Sequence, residues 1–553
     1  MSSSLTAFRD YSLYFGDIHN HCGLSYGYGS IDDAFYNARM QLDFASVTGH
    51  ASWPDMPRGE GRLDPVVAYH ERGFRRFEES WQEYLAATEA NNEPGRFVTF
   101  PSFEWHSMHD GDYVLYYRES GGSLFTASRL SDLRSHIAAL GLDRSLVLLV
   151  PHHIGYQTGF RGINWESFGE GLSPVIEIIS MHGCAESEDG PFPYLHTMGP
   201  RVGANTMQGG LALGHRFGVI GSTDHHNAHP GSFGHGRIAV WADSLTRSGV
   251  WQAICERRTY ALSGDKIALA FSLNGRPMGS EVDCAGAREI EIEVEGSYAI
   301  ERVELLRNGE VIERYLSEPA GRPTSSRGSA SPNGAMAGAP ATGGSGSGRR
   351  GKLLIEVGWG ETNVVQRWNV RAEIVRGRLV GVEPRFRGID IVDPNAALPD
   401  SSGAVSREHP HRLSSLGWDE ERIAWFETVT FGNSTPSTDS TQGIGMTVEG
   451  EADGVLRLTV NGETRELPFS ELERGSASGH LGGFLTGAYH VHRLVREEEY
   501  RAKLTFTDPS GSLRSGAGTP AAGGQRGADY YYVRVAQKNG QWAWSSPIWV
   551  GGR

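Results

Sequence analysis

Along the first 265 residues, short apolar runs alternate with stretches whose apolar positions recur every three to four residues. The runs are Leu13 to Phe15, Phe44 to Val47, Phe97 to Phe103, Leu146 to Val150, Val175 to Ser180 and Gly218 to Gly221, each short enough to be a buried strand. Between them, Ser30-Ile31-Asp32-Asp33 has the form of a capping box, and Ile31, Ala34, Phe35, Ala38 and Leu42 follow on one helical face. Residues 65–92 form a longer polar helix with Trp81, Tyr84 and Leu85 on one side. Leu130 to Leu140 and Leu245 to Arg257 are two more helices. Strands alternating with helices predict an α/β first domain, residues 1–265, with a mainly parallel sheet or barrel.

The pattern changes after residue 265. Runs such as Ile290 to Val294 and Leu456 to Val460 alternate with period two. Four Asn-Gly pairs (274–275, 308–309, 461–462 and 539–540) supply the positive φ angles of tight hairpins. Residues 266–553 therefore read as a β-rich domain, a sandwich or an extended antiparallel sheet. Its aromatic last segment, Tyr530 to Val550, is expected to pack firmly, back on the barrel. Two stretches near 319–351 and 509–527 consist largely of Gly, Ser, Ala and Pro. Their composition predicts disordered loops inserted between strands.

The apolar runs of the first domain end in residues that bind metals. Gly16-Asp17-Ile18-His19-Asn20-His21 follows the first, and residues two apart in extended chain share a face. Later runs lead to His50, Glu104, His152-His153, His182 with Cys184 close behind, and Asp224-His225-His226. In β/α barrels the active site is assembled from the C-terminal ends of different strands. Of the 21 histidines, 16 precede residue 240 and the next is His409, which places the chemistry in the first half.

The order His-x-His, Thr-x-His, Glu, His, His or Cys, Asp-x-His resembles the PHP (polymerase and histidinol phosphatase) superfamily over roughly residues 12–265. The segments Arg257-Arg258-Thr259-Tyr260 and Ala543-Trp544-Ser545-Ser546-Pro547-Ile548-Trp549 are similar to a narrower branch of large PHP-like proteins with an added C-terminal β region. The resemblance implies a distorted (β/α)7 PHP-type barrel that holds two or three metal ions and hydrolyses phosphoesters. Carried over by residue, the ligands are His19, His21, His50, Glu104, His152, His182, Asp224 and His226. The family usually has Thr-Asp-His where this chain has Thr48-Gly49-His50. Gly49 cannot bind metal, so two ions are expected, with a third site weakened. Zn, Mn and Fe all suit the donor set.

Around this set, Asp17 is expected to orient a ligating histidine. His153 or His225 would be the general acid, and a metal-bridging hydroxide the nucleophile. Of Arg161, Arg201, Arg216 and Arg237, the last is the best phosphate contact, standing soon after the Asp-x-His. His106, His109 and His229 are read as rim residues, and Cys22 as pointing away from the metals. His182 is preferred over Cys184 as ligand.

Composition narrows the function. The net charge of −15 disfavours nucleic acid as partner. No apolar stretch approaches the ~20 residues of a membrane span, and the N-terminus has no secretory pattern. Four widely spaced cysteines form no CxxC pair, which favours a reducing, cytoplasmic setting. The expectation is a metal-dependent hydrolase, a phosphoesterase acting on a small molecule. The alternatives are metal-dependent hydrolysis or lysis of a non-phosphate ester, lactone or C–O bond, and a non-catalytic binding protein on a degenerate barrel. Oligomeric state is left open.

Overall fold

The computed structural model describes residues 3–317, 349–389, 411–432, 439–509 and 528–551, apart from positions 60, 285, 363 and 420, together with the short strand Ala337–Gly338. The two segments expected to be disordered lie, but for their edges and Ala337–Gly338, outside the described residues.

Twelve strands and five helices build the first part. In chain order they are β1 (Ser12–Asp17), α1 (Ile31–Gln41), β2 (Phe44–Ala45), β3 (Gly49–Ser52), α2 (Asp64–Ala90), β4 (Val98–Thr99), β5 (Ser102–Trp105), β6 (Asp112–Tyr117), α3 (Leu130–Ala139), β7 (Val147–His152), β8 (Val175–Ser180), β9 (Gly183–Cys184), α4 (Met207–Ala212), β10 (Gly218–Gly221), β11 (Arg237–Ala242), α5 (Arg247–Cys255) and β12 (Thr259–Leu262). The helix start at Ser30 is the expected capping box: its hydroxyl accepts from the Asp33 amide, and the Asp33 carboxylate accepts from the Ser30 amide. The predicted face, Ile31, Ala34, Phe35 and Ala38, is buried.

A uniform (β/α)7 alternation is not what the ladders record. β1, β2 and β4 are parallel, as are β3 with β5 and β8 with β10. But β6 runs antiparallel to both β5 and β7, and β11 antiparallel to both β1 and β12. The physical reason is connection length. Parallel neighbours need a crossover of a dozen or more residues, whereas β5 reaches β6 through residues 106–111 alone. No helix separates β7 from β8 or β10 from β11.

The hydrogen-bonded sheet continues through residue 265. β12 pairs with Trp542–Ser545, which forms a hairpin with Asp529–Gln537. The aromatic C-terminal segment is thus part of the same sheet as β1. A five-stranded sheet containing Ala268–Leu273, Arg288–Glu295 and Arg501–Asp508 shares an apolar core with it, through Leu269, Ile292, Leu504, Val303 and Val533. A second sandwich follows. A six-stranded sheet around Arg350–Trp359 and Gln442–Glu449 shares a core with a five-stranded sheet around Gln366–Arg376, over Ile355, Trp368, Phe426 and Leu458. Alternating burial along Arg288–Glu295 is the period-two pattern seen in sequence. Three of the Asn-Gly pairs, 274–275, 308–309 and 461–462, have positive φ at both residues.

Candidate metal centre

Three chain segments are laced together at the C-terminal ends of the strands. The His21 amide donates to the His225 carbonyl (2.7 Å), the Asp224 amide to the His19 carbonyl (2.7 Å) and the Thr48 amide to the Asn20 carbonyl (2.6 Å). These bonds hold the residues after β1, before β3 and after β10 in one layer. Asp17 secures the layer from below. Its carboxylate accepts from the amides of His19 (3.2 Å), Thr223 (3.1 Å) and Gly231 (2.8 Å) and from the Thr223 hydroxyl. It orients backbone, not an imidazole. The carboxylate that orients a histidine is Glu177 in the middle of β8, 3.0 Å from His19 Nδ1.

The eight residues carried over from the resemblance converge, and all are buried. Two carboxylates organise them. Glu104 Oε2 is 2.6 Å from His50 Nδ1 and 3.6 Å from His21 Nε2, and Oε1 is 2.7 Å from His152 Nε2. Asp224 Oδ1 is 2.9 Å from His21 Nε2 and 3.4 Å from His19 Nε2, and Oδ2 is 3.0 Å from His182 Nε2. The His226 ring lies tilted against that of His21, centroids 4.4 Å apart. Glu104 Oε2 and Asp224 Oδ2 lie this close to imidazole nitrogens, yet neither has a partner in hydrogen-bond geometry. His19 Nε2 and His50 Nε2 also lack one. Buried donors that approach without bonding one another are costly unless a cation sits among them. The residues therefore fit divalent metal ions, and the donor atoms form several overlapping groups: His19, His21 and Glu104; His21, His50 and His226; His153, His182 and Asp224.

Neighbouring histidines part ways here. Both His152 and His153 face the cluster, because His153 follows the end of β7 with φ of +51° and leaves strand alternation. Its Nε2 is 3.3 Å from Asp224 Oδ2. His225 turns away. Its ring stacks near His235, and a Cβ on Gly388 would overlap it. Cys184 lies in the apolar core with Ile178 and Trp544, where burial pushes its thiol up to about 12. His182 alone of that pair reaches Asp224. Cys22 is likewise in a core.

Four residues join the cluster beyond the expected ligands, Arg161 having been one of the four candidate phosphate contacts and His106 an expected rim residue. His106 is fully buried, with Nε2 3.2 Å from His50 Nδ1 and Nδ1 3.3 Å from Glu104 Oε1, so it is no rim residue. Asp112 lies 3.4 Å from His106 Nδ1. Arg161 donates to Asp112 (2.6 Å) and lies 2.8 Å from His106 Nδ1, with its guanidinium over the Trp53 ring. Glu177 is the fourth. Two had a signal: His106 is two residues from Glu104, the same-face spacing of His19 and His21, and Glu177 is a lone acid inside an apolar run. Asp112 had none, because only the β6–β7 register sets it opposite His152.

Arg237 is not at the site. It is buried beneath the loop after β10, donating to Gln41 Oε1 (3.2 Å) and the Gly231 carbonyl (2.6 Å), and burial lowers it to about 10. His229 is buried beside His225, whereas His109 is exposed at the rim and lies 3.0 Å from Asp110.

Gly49 has a structural cause. A Cβ at this position would overlap the Phe77 ring of α2. Position 49 faces the helix while His50 faces the cluster, so a side chain there would enter the core and not the site.

Electrostatics follow from burial and crowding. Burial would raise the carboxyls of Glu104 and Asp224, but the imidazoles around them hold both well below the usual range. Burial, then neighbouring imidazoles, pushes His50, His153 and His226 well below 6.5. Burial opposes protonation of His19, but Asp224 and Glu177 raise it well above that value. Burial also raises Glu177 to about 7.

Two expected results arise here. Between their folded pKa values and 6.5, His50, His153 and His226 bind protons in the unfolded chain and not in the folded one. Their contribution to stability is complete above that range and lost as pH falls through it. The buried His70, His152 and His229, also lowered, act with them, and Glu104 and Asp224 do so at lower pH, whereas His19, Glu177 and Asp17, all raised, oppose. The melting temperature of metal-free protein should therefore drop steadily from about pH 7 to about pH 5, measured by thermal denaturation. A flat profile would contradict the burial account. Secondly, Glu177→Gln removes the charge on His19 Nδ1 and should weaken metal affinity by about tenfold with the fold intact. Chelator competition measures this, and an unchanged affinity would show that Glu177 is only packed there.

No helix among the described residues is long and apolar enough to cross a membrane. The four cysteines are free thiols.

Residues 59–116 match the profile of a family described as a protein of unknown function (DUF3604). An uncharacterized protein of Chlamydia muridarum is 28% identical over 174 residues, covering 28% of this chain and 28% of that protein. One of Chlamydia pneumoniae is 25% identical over 253 residues, 41% of this chain and 39% of that protein. The chain thus spans well under half the length of these curated relatives. Among solved structures, a Bacteroides vulgatus two-domain protein described as containing a predicted PHP-like metal-dependent phosphoesterase is similar at 13% identity, with a TM-score of 0.31, over 55% of this chain and 81% of that one.

Proposed function

We propose that this chain is a PHP-type metal-dependent hydrolase that cleaves the phosphoester of a small molecule. The observation that carries the reading is the convergence of eight buried ligand residues among which His19 Nε2, His50 Nε2, Glu104 Oε2 and Asp224 Oδ2 have no hydrogen-bond partner. His19, His21, His50, Glu104, His152, His182, Asp224 and His226 would hold two divalent ions, of Zn, Mn or Fe, and His106 with Asp112 extends the set toward a third. Such ions supply Lewis acidity and make water a nucleophile near neutral pH.

The chain's own residues do the rest. Arg161, close to Asp112 and His106, takes the part expected of Arg237. Its guanidinium stands beside the cluster, where it neutralises a phosphate oxygen. His153, held neutral by burial, accepts a proton from the attacking water and returns it to the leaving oxygen. Its Nδ1 has no partner in hydrogen-bond geometry and is available for that transfer. A small substrate and a soluble, cytoplasmic setting fit the net negative charge and free cysteines. The binding-protein alternative loses its main support, since Gly49 is accounted for by Phe77.

The test is elemental analysis of protein purified without chelator or affinity metal, with turnover of p-nitrophenyl phosphate and p-nitrophenyl acetate on the same sample. About two ions per chain and a phosphatase activity lost to chelator and restored by metal are expected. Faster acetate turnover would move the reading to the non-phosphate ester. Less than one ion, with no uptake on addition, would end it.

A further inference from the structure

Away from the metal cluster, a cleft of about 440 Å³ lies between the loop after β10 and the C-terminal half. Four basic side chains line it, Arg385, Arg387, Arg493 and Lys538, against two carboxylates, Glu356 and Asp439. Asp265 and Glu499, just behind the lining, pair with Arg385 and Arg493.

The pairing of these cations is uneven. Arg493 is matched bidentately by Glu499, and Arg387 is matched by Asp439 (2.6 Å) and the Phe233 carbonyl (2.7 Å). Arg385 is different. It is 4% exposed, yet only Nη2 is engaged, 3.1 Å from Asp265 Oδ1. Its Nε and Nη1 have no hydrogen-bond partner, and Glu356 Oε1 lies 3.9 Å from Nη1. Lys538, exposed on the Asn539-Gly540 hairpin, has no ion-pair partner among the described residues. A guanidinium whose role was only to clamp the seam would have its donors met by protein. Its planar fork instead suits a tetrahedral oxyanion.

The ring of Phe233 fixes the fork in place, with the Arg385 and Arg387 guanidinium carbons 4.3 and 5.0 Å from its centroid. Tyr298 forms another wall. The volume falls in the range of roughly 300–1,000 Å³ typical of small-molecule sites, so there is room for an organic group beyond the anion. We propose that this cleft is a second, metal-independent ligand site that binds the phosphate or sulfate group of a small molecule through Arg385, Arg387 and Lys538.

The experiment is calorimetric titration of inorganic phosphate into the full-length protein, with and without EDTA, repeated with sulfate. Saturable binding that survives EDTA is expected, weakened at least tenfold in Lys538→Glu and in Arg387→Gln. Lys538→Glu changes an exposed turn residue, and its circular dichroism and p-nitrophenyl phosphate turnover should match wild type. Stronger binding of phosphate than sulfate assigns a phosphate ligand, and the reverse a sulfated one. Absence of binding, binding abolished by EDTA, or both variants within threefold of wild type would overturn the site. None of these outcomes depends on the metal centre being a hydrolase.

Discussion

Asp224→Ala should empty the metal centre and lower turnover by at least about a thousandfold, equivalent to roughly 4 kcal/mol of transition-state stabilisation. Asp224 follows β10 in a left-handed conformation, φ +53°, which aims its carboxylate back into the cluster. Five imidazoles lie within salt-bridge distance: His21 at 2.9 Å, His182 at 3.0 Å, His153 at 3.3 Å, His19 at 3.4 Å and His226 at 3.8 Å. Without the carboxylate, these rings face one another with one negative group fewer, and a cation there meets mostly neutral donors. Asp224→Asn keeps the shape and separates loss of charge from loss of packing. Metal content, turnover and melting temperature would be measured on one preparation of each. If both variants keep full metal and full turnover, Glu104 is sufficient and the two-carboxylate account is wrong.

Gly49→Asp should destabilise the fold by about 3 kcal/mol or more without adding metal, since it forces both volume and a carboxylate into a packed apolar face. The helix α2 lays Phe77 directly over the glycine, and Phe77 in turn packs against Trp81 and Tyr84. Urea denaturation gives the size of the loss. Phe77→Ala, destabilising alone, should make Gly49→Asp less costly, because the two positions touch and their effects do not add. A Gly49→Asp protein that melts like wild type and gains metal would mean that position 49 turns toward the site.

The cluster was legible wherever a rule of spacing could act. His19 and His21 share a face because they are two apart; Glu104 and His106 obey the same rule, yet the sequence reading placed His106 at the rim. Spacing failed at chain reversals. His153 enters the site against simple alternation, because its left-handed backbone redirects the chain, whereas His225, between Asp224 and His226, turns away as alternation expects. Arg237 and Arg161 exchanged expected places for a similar reason. Nearness in sequence to the Asp-x-His sent Arg237 into the core under its own loop, while Arg161, from the long β7–β8 connection, arrives from across the site.

What the sequence by itself determined is local: the capped helix α1, the Asn-Gly hairpins, the period-two strands of the C-terminal half, and the histidine-rich strand ends of the first. Each follows from backbone preference or burial of one face within a few residues. Only the tertiary structure decided strand direction, register and which strands share a sheet. The antiparallel β6 sets Asp112 opposite His152, and Trp542–Ser545 extends the sheet of β1 across the whole length of the chain. Those pairings join residues far apart in sequence, and their free energy comes from contacts that exist only once both partners are in place.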